Sequence, residues 1–314
     1  MAIAFTFPGQ GSQTVGMGRA LADAYPAARA VFDEVDEALE QALSTIVFDG
    51  PADTLTLTEN AQPALMAVSL AAIRALESEG VDLRKSVAYV AGHSLGEYSA
   101  LAAAGTLSVS DAARLLRIRG RAMQEAVPVG AGAMAALIGP DLAAAEAIAA
   151  EAAEGEVCAA ANDNGAGQVV VSGNRAAVER AVEIAKAKGA KRAVLLPVSA
   201  PFHCALMAPA AKVMAEALAG VTLKPPVVPL VANVVAGPVS DPEAIRRNLV
   251  AQVTGLVRWR ESVAWLAGPG GVDLFVEIGA GKVLSGLARR IAEGAGTLSV
   301  GTPEDIAAAR SRLT

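Results

Sequence analysis

A chain of 314 residues has room for a sizeable core in one large domain, or in a large domain with a smaller partner. With 18% charged residues and a net charge of −6 it lacks the basic balance of a nucleic-acid binder, and no stretch approaches the ~20 uninterrupted apolar residues of a membrane span. Two histidines and two cysteines, Cys158 and Cys204, exclude a His-rich metal site and a disulfide-stapled scaffold and suit a reducing, cytoplasmic setting.

In chain order, short apolar runs alternate with helix-period segments, the pattern of a sheet covered by helices. The first residues, Met1 to Phe7, carry no basic n-region followed by a long apolar segment, so they do not read as a signal peptide. Ile3 to Phe7 reads as a strand closed by Pro8-Gly9. Residues 26–43 place Val31, Val35, Leu39 and Leu43 four apart among acidic residues, which predicts an amphipathic helix. A more apolar helix is expected over 63–77 and a buried strand over Val87 to Ala91. Further strands are expected at Val227 to Ala232, Leu274 to Ile278 and Leu298 to Val300. Only 4% of residues are aromatic against 53% hydrophobic, so Ala, Val and Leu must fill the core.

Between about 130 and 198 the pattern becomes strand 133–138, helix 140–154, strand 157–161, strand 168–172, helix 174–188 and strand 192–197. The order βαββαβ is the ferredoxin-like motif. It predicts a small domain, 130–198, inserted into a discontinuous α/β domain of 1–129 and 199–314, with Gly130 and Ser199 near the seams.

Gly92-His93-Ser94-Leu95-Gly96 is a Gly-x-Ser-x-Gly string between the strand 87–91 and a helix-forming run 95–104. Such a corner holds its Ser in a strained turn with the hydroxyl exposed and the next backbone N–H free, so Ser94 is the candidate nucleophile and Leu95 N–H a candidate oxyanion donor. A hydroxyl needs a base. The sharp turn should send the ring of His93 away from Ser94, which leaves His203 by elimination. It lies in a Pro-containing turn ahead of a helix over 204–218, where the helix dipole favours neutral imidazole. Asp163 falls between Ser and His in chain order as an orienting acid, and a dyad steered by a backbone carbonyl is the other option.

Ser108 and Asp111 form a capping box for a helix running to about Val127. Ala112, Leu115, Leu116, Ala122, Met123 and Ala126 share one side and Arg114, Arg117 and Arg121 the other, whereas Arg119 falls among the apolar residues. Its guanidinium must find either an internal carboxylate or a substrate carboxylate held bidentately. Two tempting loops fail their motifs: 279–283 lacks Walker spacing and reads as a strand-to-helix turn, and Gly9-Gln10-Gly11 lacks the third Gly of a dinucleotide fingerprint. Cys204 reads as a small buried hydrophobe.

Four ordered strings, FPGQGSQ at Phe7 to Gln13, GHSLGEY at Gly92 to Tyr98, RG-x-x-MQ at Arg119 to Gln124 and S-x-PFH at Ser199 to His203, resemble the malonyl-CoA:acyl carrier protein transacylase family over essentially the whole chain. The resemblance implies an α/β-hydrolase-like large domain with an inserted ferredoxin-like one. It implies Ser94 as nucleophile, His203 as base, Arg119 as carboxylate clamp and the backbone N–H groups of Gln10 and Leu95 as oxyanion donors. It further implies that Gly9 and Gly11 let that backbone approach closely, that the Gln252 main-chain carbonyl orients the histidine, and that Asn162 faces the cleft, for which a turn residue is the other reading. The Ser-x-Pro-Phe-His form resembles malonyl-selective members. The implied partners are malonyl-CoA and, transiently, acyl carrier protein, with no resident cofactor or metal and no nucleic acid or membrane. Lys186, Lys188, Lys191 and Arg192 are the densest basic run and the expected docking patch for an acidic carrier. Two rivals remain: a serine thioesterase or esterase using the same dyad, and a non-catalytic module of an acyl-transfer assembly. The residues fix no oligomeric state, a monomer being compatible with them, and a free-standing chain of this length suits fatty-acid more than polyketide synthesis.

Overall fold

The computed structural model describes residues 1–313; Thr314, the last residue of the predicted large domain, lies outside them. Ten strands are described: β1 (Ala2–Phe7), β2 (Tyr89–Gly92), β3 (Gly132–Ile138), β4 (Cys158–Asp163), β5 (Gln168–Asn174), β6 (Arg192–Leu195), β7 (Leu230–Ala232), β8 (Gly237–Val239), β9 (Val272–Ile278) and β10 (Gly296–Val300). They form a six-stranded sheet, β10-β9-β1-β2-β7-β8, and a separate four-stranded sheet, β4-β5-β3-β6. The large sheet is parallel except where β8 turns back on β7. The small sheet is antiparallel throughout.

Alternation along β1 explains why the large sheet carries helices on both faces. Ile3, Phe5 and Phe7 join one apolar cluster, while Ala4 joins a second with Ala91, Val231, Trp259 and Phe275 on the opposite face. β3 divides its side chains in the same way. Ala133, Ala135 and Leu137 pack with the helices Leu142–Ala153 and Arg175–Ala187, and Met134 and Ala136 join the large core. The small sheet therefore lies between its own two helices and the rest of the chain. Its seam is close-packed: a Cβ on Gly132 would overlap the ring of Pro201. β4 reaches across to the segment between the helices Pro242–Thr254 and Trp259–Ala267, with the Asp163 N–H donating to the Val257 carbonyl (2.9 Å) and the Val257 N–H to that of Ala161 (2.9 Å).

Expected elements are present with shifted ends. The helix over 26–43 stops at Leu39, where Glu40 turns left-handed (φ 50°), and a second helix, Leu43–Asp49, follows. Asp36, in the first helix, receives both the N–H and the hydroxyl of Ser44, satisfying one of the free N–H groups in the first turn of the second helix. β7 begins only after Pro229, which has no N–H to offer a ladder. The segment after His203 opens as a three-residue 3₁₀ turn, Ala205–Met207, before the helix Ala208–Ala219. The run 279–283 is the expected strand-to-helix turn, leading from β9 into the helix Val283–Ile291, whose first N–H groups are received by the buried Glu277. Among the described residues, no helix is long and apolar enough to cross a membrane.

Candidate active site

β1 and β2 are neighbours in the middle of the large sheet, and the turns at their C-terminal ends meet. Ser94 occupies the corner between β2 and the helix Gly96–Ala103 with φ 54°, a left-handed conformation that costs a non-glycine residue about 1–3 kcal/mol. The flanking glycines answer to space: a Cβ on Gly92 would overlap the Gly96 carbonyl, and one on Gly96 would overlap that of Phe7. Asn233, fully buried just past β7, holds the corner by accepting from the Ser94 N–H (2.8 Å) and donating Nδ2 to the Gly92 carbonyl (2.7 Å). Each bond ties down a backbone group that the turn leaves without a ladder partner.

His203 is buried, and its Nε2 lies 2.7 Å from Ser94 Oγ. Its Nδ1 lies 2.9 Å from the Gln252 main-chain carbonyl. A carbonyl only accepts, so Nδ1 carries the hydrogen and Nε2 presents its lone pair to the Ser94 hydroxyl. Burial, and then the nearby Arg119 charge, push the His203 pKa down to about 3. The neutral ring is thus held by desolvation and a like charge, not by the helix dipole anticipated from sequence, since a 3₁₀ turn separates His203 from the helix. Asp163 is far from this role: it pairs with Arg260 (2.8 Å) at the end of β4. His93 turns away from the Ser94 hydroxyl, with Nε2 2.9 Å from Asn164 Oδ1 and its ring beside Trp259.

The depressed pKa fixes a sign for stability. Below about pH 6.5 the unfolded chain protonates His203, whereas the folded chain resists until about pH 3. At this group the unfolded state therefore binds more protons in that window, and the His203 contribution to stability falls as pH is lowered through it, opposite in sign to that of Glu97, whose pKa burial raises to about 7. His203→Gln should lose less stability than the parent between pH 7 and 4.5. Urea midpoints at the two pH values check this, and parallel losses would contradict it.

Arg119 is 1% exposed, on the helix Val109–Glu125. Nη1 donates to Gln62 Oε1 (2.7 Å), and Nη2 donates to Gln252 Oε1 (2.9 Å) and to Ser94 Oγ (3.0 Å). The Tyr98 ring lies 5.8 Å from the guanidinium carbon, and Nε is buried with no partner. Burial draws the guanidinium pKa down, opposed by Tyr98 and Glu97. Among the described residues, no carboxylate lies within 4.0 Å of Arg119, so its hydrogen-bond acceptors are all neutral. The internal-carboxylate alternative thus fails. Of the three arginines expected outside, Arg114 and Arg121 are exposed, but Arg117 is buried with its Nη1 4.0 Å from Glu59. The helix Thr58–Ser78 covers that flank, which the periodicity of one helix alone does not reveal.

Ser94, His203 and Arg119 open into a cleft of about 450 Å³ between the two sheets, also lined by Gln10, Leu95, Asn162, Met134 and Phe202. Leu95 begins the helix after Ser94, and Gln10 follows β1; neither N–H has an acceptor among the described residues. A Cβ on Gly9 would sit 2.8 Å from the His93 carbonyl, so the first turn presses directly on the second. Gly11 differs from expectation, with open space around it but φ 103°, so its backbone angle and not its size is what a side chain would strain. Asn162 is a strand residue of β4 facing the cleft, not a turn residue.

In the basic run, Lys186 pairs with Glu183 and Lys188 with Glu151, while Lys191 and Arg192 are exposed with no carboxylate partner among the described residues. Cys204 is buried, its thiol donating to the Pro201 carbonyl (3.2 Å). Among the described residues no cluster of His, Cys, Asp or Glu is arranged to hold a metal ion. Sequence reasoning passed over Gln62, Glu97 and Asn233. Gln62 and Glu97 carried the signal that exposed Arg119, a polar group within an apolar helical stretch, whereas Asn233 had no local signal.

A family model described as the acyl transferase domain matches residues 4–295. A curated Escherichia coli K12 protein named malonyl CoA-acyl carrier protein transacylase is 48% identical over 306 residues, 98% of this chain and 98% of that one. The crystal structure of an acyl-carrier-protein-S-malonyltransferase from Bartonella henselae superposes with a TM-score of 0.98 at 61% identity, covering 100% of this chain and 99% of that one. A malonyl-transacylase solved in complex with its type II PKS acyl-carrier protein superposes with a TM-score of 0.96 at 42% identity, covering 99% and 100% of the two chains. With the family model spanning most of its length and relatives this similar end to end, the chain belongs to the malonyl CoA-acyl carrier protein transacylase family.

Proposed function

We propose that the chain moves a malonyl group from malonyl-CoA to the phosphopantetheine thiol of acyl carrier protein, through an acyl-enzyme on Ser94. The observation that carries this is the convergence on one hydroxyl: Ser94 Oγ lies 2.7 Å from a neutral imidazole and 3.0 Å from a buried guanidinium that lacks a carboxylate partner. His203 takes the Ser94 proton as Oγ attacks the thioester carbonyl, and the Gln10 and Leu95 N–H groups receive the oxyanion. The C–S bond breaks, His203 returns the proton to the departing CoA thiolate, and malonyl remains on Ser94. The carrier's thiol then reverses the sequence, giving up its proton to His203 as its sulfur attacks the ester, and Ser94 recovers its hydrogen. Arg119 binds the free carboxylate throughout, Gln252 steers His203 through its main-chain carbonyl, and Asn162 borders the acyl group's path. Written this way the reaction calls for no resident cofactor or metal.

The six-stranded sheet and its helices, from 1–129 and 199–314, are our α/β-hydrolase-like catalytic domain, and 130–198 the inserted ferredoxin-like one. The β4-β5-β3-β6 order over a βαββαβ run supports the second assignment. We place the protein in the cytoplasm, supplying fatty-acid synthesis. Lys191 and Arg192 are what remains of the expected carrier-docking run.

A hydrolase would use the same dyad with water as acceptor. The unpaired Arg119 favours retention of an acidic acyl group instead. Incubation of the protein with malonyl-CoA, with and without carrier, separates the two. Transfer gives malonylated carrier and little free malonate. Rapid malonate release without carrier would establish hydrolysis, and neither product would leave a binding module.

A further inference from the structure

Glu97 is a carboxyl group, 1% exposed, beside the Ser94 turn, and no step of the transfer consumes it. Its Oε2 accepts from Gln252 Nε2 (2.8 Å) and from the Asn233 N–H (3.1 Å); its Oε1 is buried with no partner. Burial raises its pKa to about 7. The Gln252 amide is nearly symmetric in shape but not in chemistry, since its NH₂ only donates and its oxygen only accepts. The NH₂ faces the Ser94 carbonyl (3.0 Å) and Glu97 Oε2, with Asn233 Oδ1 at 3.4 Å. A reversed amide would set its oxygen against those oxygens and its NH₂ against the Arg119 guanidinium. The observed orientation leaves Oε1 to accept from Arg119 Nη2.

We propose that Glu97 is a positioning residue for acyl-group selection, locking the Gln252 side chain so that its Oε1 holds the Arg119 guanidinium where an acyl carboxylate is received. Glu97 touches neither substrate nor reacting atoms, and it lies beyond ion-pair distance of Arg119. The assignment rests on the reading of Arg119 as the carboxylate clamp.

The test is the ratio of kcat/KM for malonyl-CoA to that for acetyl-CoA, because a purely structural defect lowers both together. In Glu97→Leu the ratio should fall about tenfold, the scale of one lost buried hydrogen bond to a charged network. Glu97→Gln should keep the ratio within about twofold, since its oxygen can serve both donors while its NH₂ takes the Oε1 position, which already lacks a partner. If the leucine variant does not fold, Glu97→Asp, which keeps the charge but withdraws the oxygen from Gln252, should lower the ratio in the same sense. An unchanged ratio in a folded leucine or aspartate variant overturns the proposal, as does an equal loss for both donors or a glutamine variant as impaired as leucine. Arg119→Ala, measured alongside, keeps the two failures apart. If it leaves the ratio unchanged, the clamp reading falls and this proposal with it; if it shifts the ratio and Glu97→Leu does not, only the role of Glu97 falls.

Discussion

Arg119→Ala should cost malonyl transfer on the order of 10²–10⁴ in kcat/KM, while acetyl transfer gains relative to malonyl. Two charge-assisted hydrogen bonds to a carboxylate, at about 1.5–3 kcal/mol each, set that scale. The physical reason lies in what surrounds the guanidinium. It is 1% exposed, its acceptors are the neutral Gln62, Gln252 and Ser94, and Nε has no partner. With Arg119 as the proposed clamp, malonyl would supply the missing anion, whereas acetyl would leave a buried cation without one, a penalty larger than a merely absent contact. Because Arg119 also donates to Ser94 Oγ, its removal affects every donor somewhat. Direct competition between malonyl-CoA and acetyl-CoA, read as carrier products, therefore gives the decisive quantity. An unchanged product ratio would remove Arg119 from acyl selection.

His203→Ala should slow formation of the acyl-enzyme by about 10⁴-fold, the upper end of what a positioned general base contributes. With its Nδ1 hydrogen committed to the Gln252 carbonyl and its Nε2 2.7 Å from Ser94 Oγ, His203 is the only base in reach of that hydroxyl among the described residues. Its pKa near 3 keeps the free protein's imidazole neutral well below pH 6. Single-turnover acylation by the variant, followed by rapid quench, measures the loss. A loss under about tenfold would mean that proton transfer at Ser94 does not run through His203. Added imidazole, which can enter the space left by the side chain, should recover part of the rate.

The residues whose position follows from a local pattern were legible in the sequence. Ser94 stood out because a strand, two small residues and a helix-forming run flank it, and β2 and the helix Gly96–Ala103 take up those roles. Arg119 stood out because a charge on the apolar side of one helix has to be answered somewhere. The βαββαβ order between residues 130 and 198 followed from local periodicity, and each of its six elements appears within a few residues of expectation. What the sequence concealed is long-range. Asn233 braces Ser94 across 139 positions with no local signal, and although Gln62 stands out as a polar group in an apolar helix, nothing local says that it meets Arg119 across 57. The expectation for His203 chose, by elimination, the imidazole that lies against Ser94 Oγ, but gave the wrong cause of its neutrality, because burial depends on how separate elements pack. Arg117 shows the same limit from the other side, since a solvent-facing position on one helix was covered by a neighbour.

The central claim is a covalent malonyl-Ser94 intermediate that the carrier discharges. It is tested most directly by intact mass of the acid-quenched protein after brief exposure to malonyl-CoA, before and after addition of carrier. The expected result is one malonyl group on the parent chain, none on Ser94→Ala, and loss of the group from the parent with its appearance on the carrier. A parent chain that carries no adduct, an adduct that survives Ser94→Ala, or one that the carrier fails to remove would contradict it.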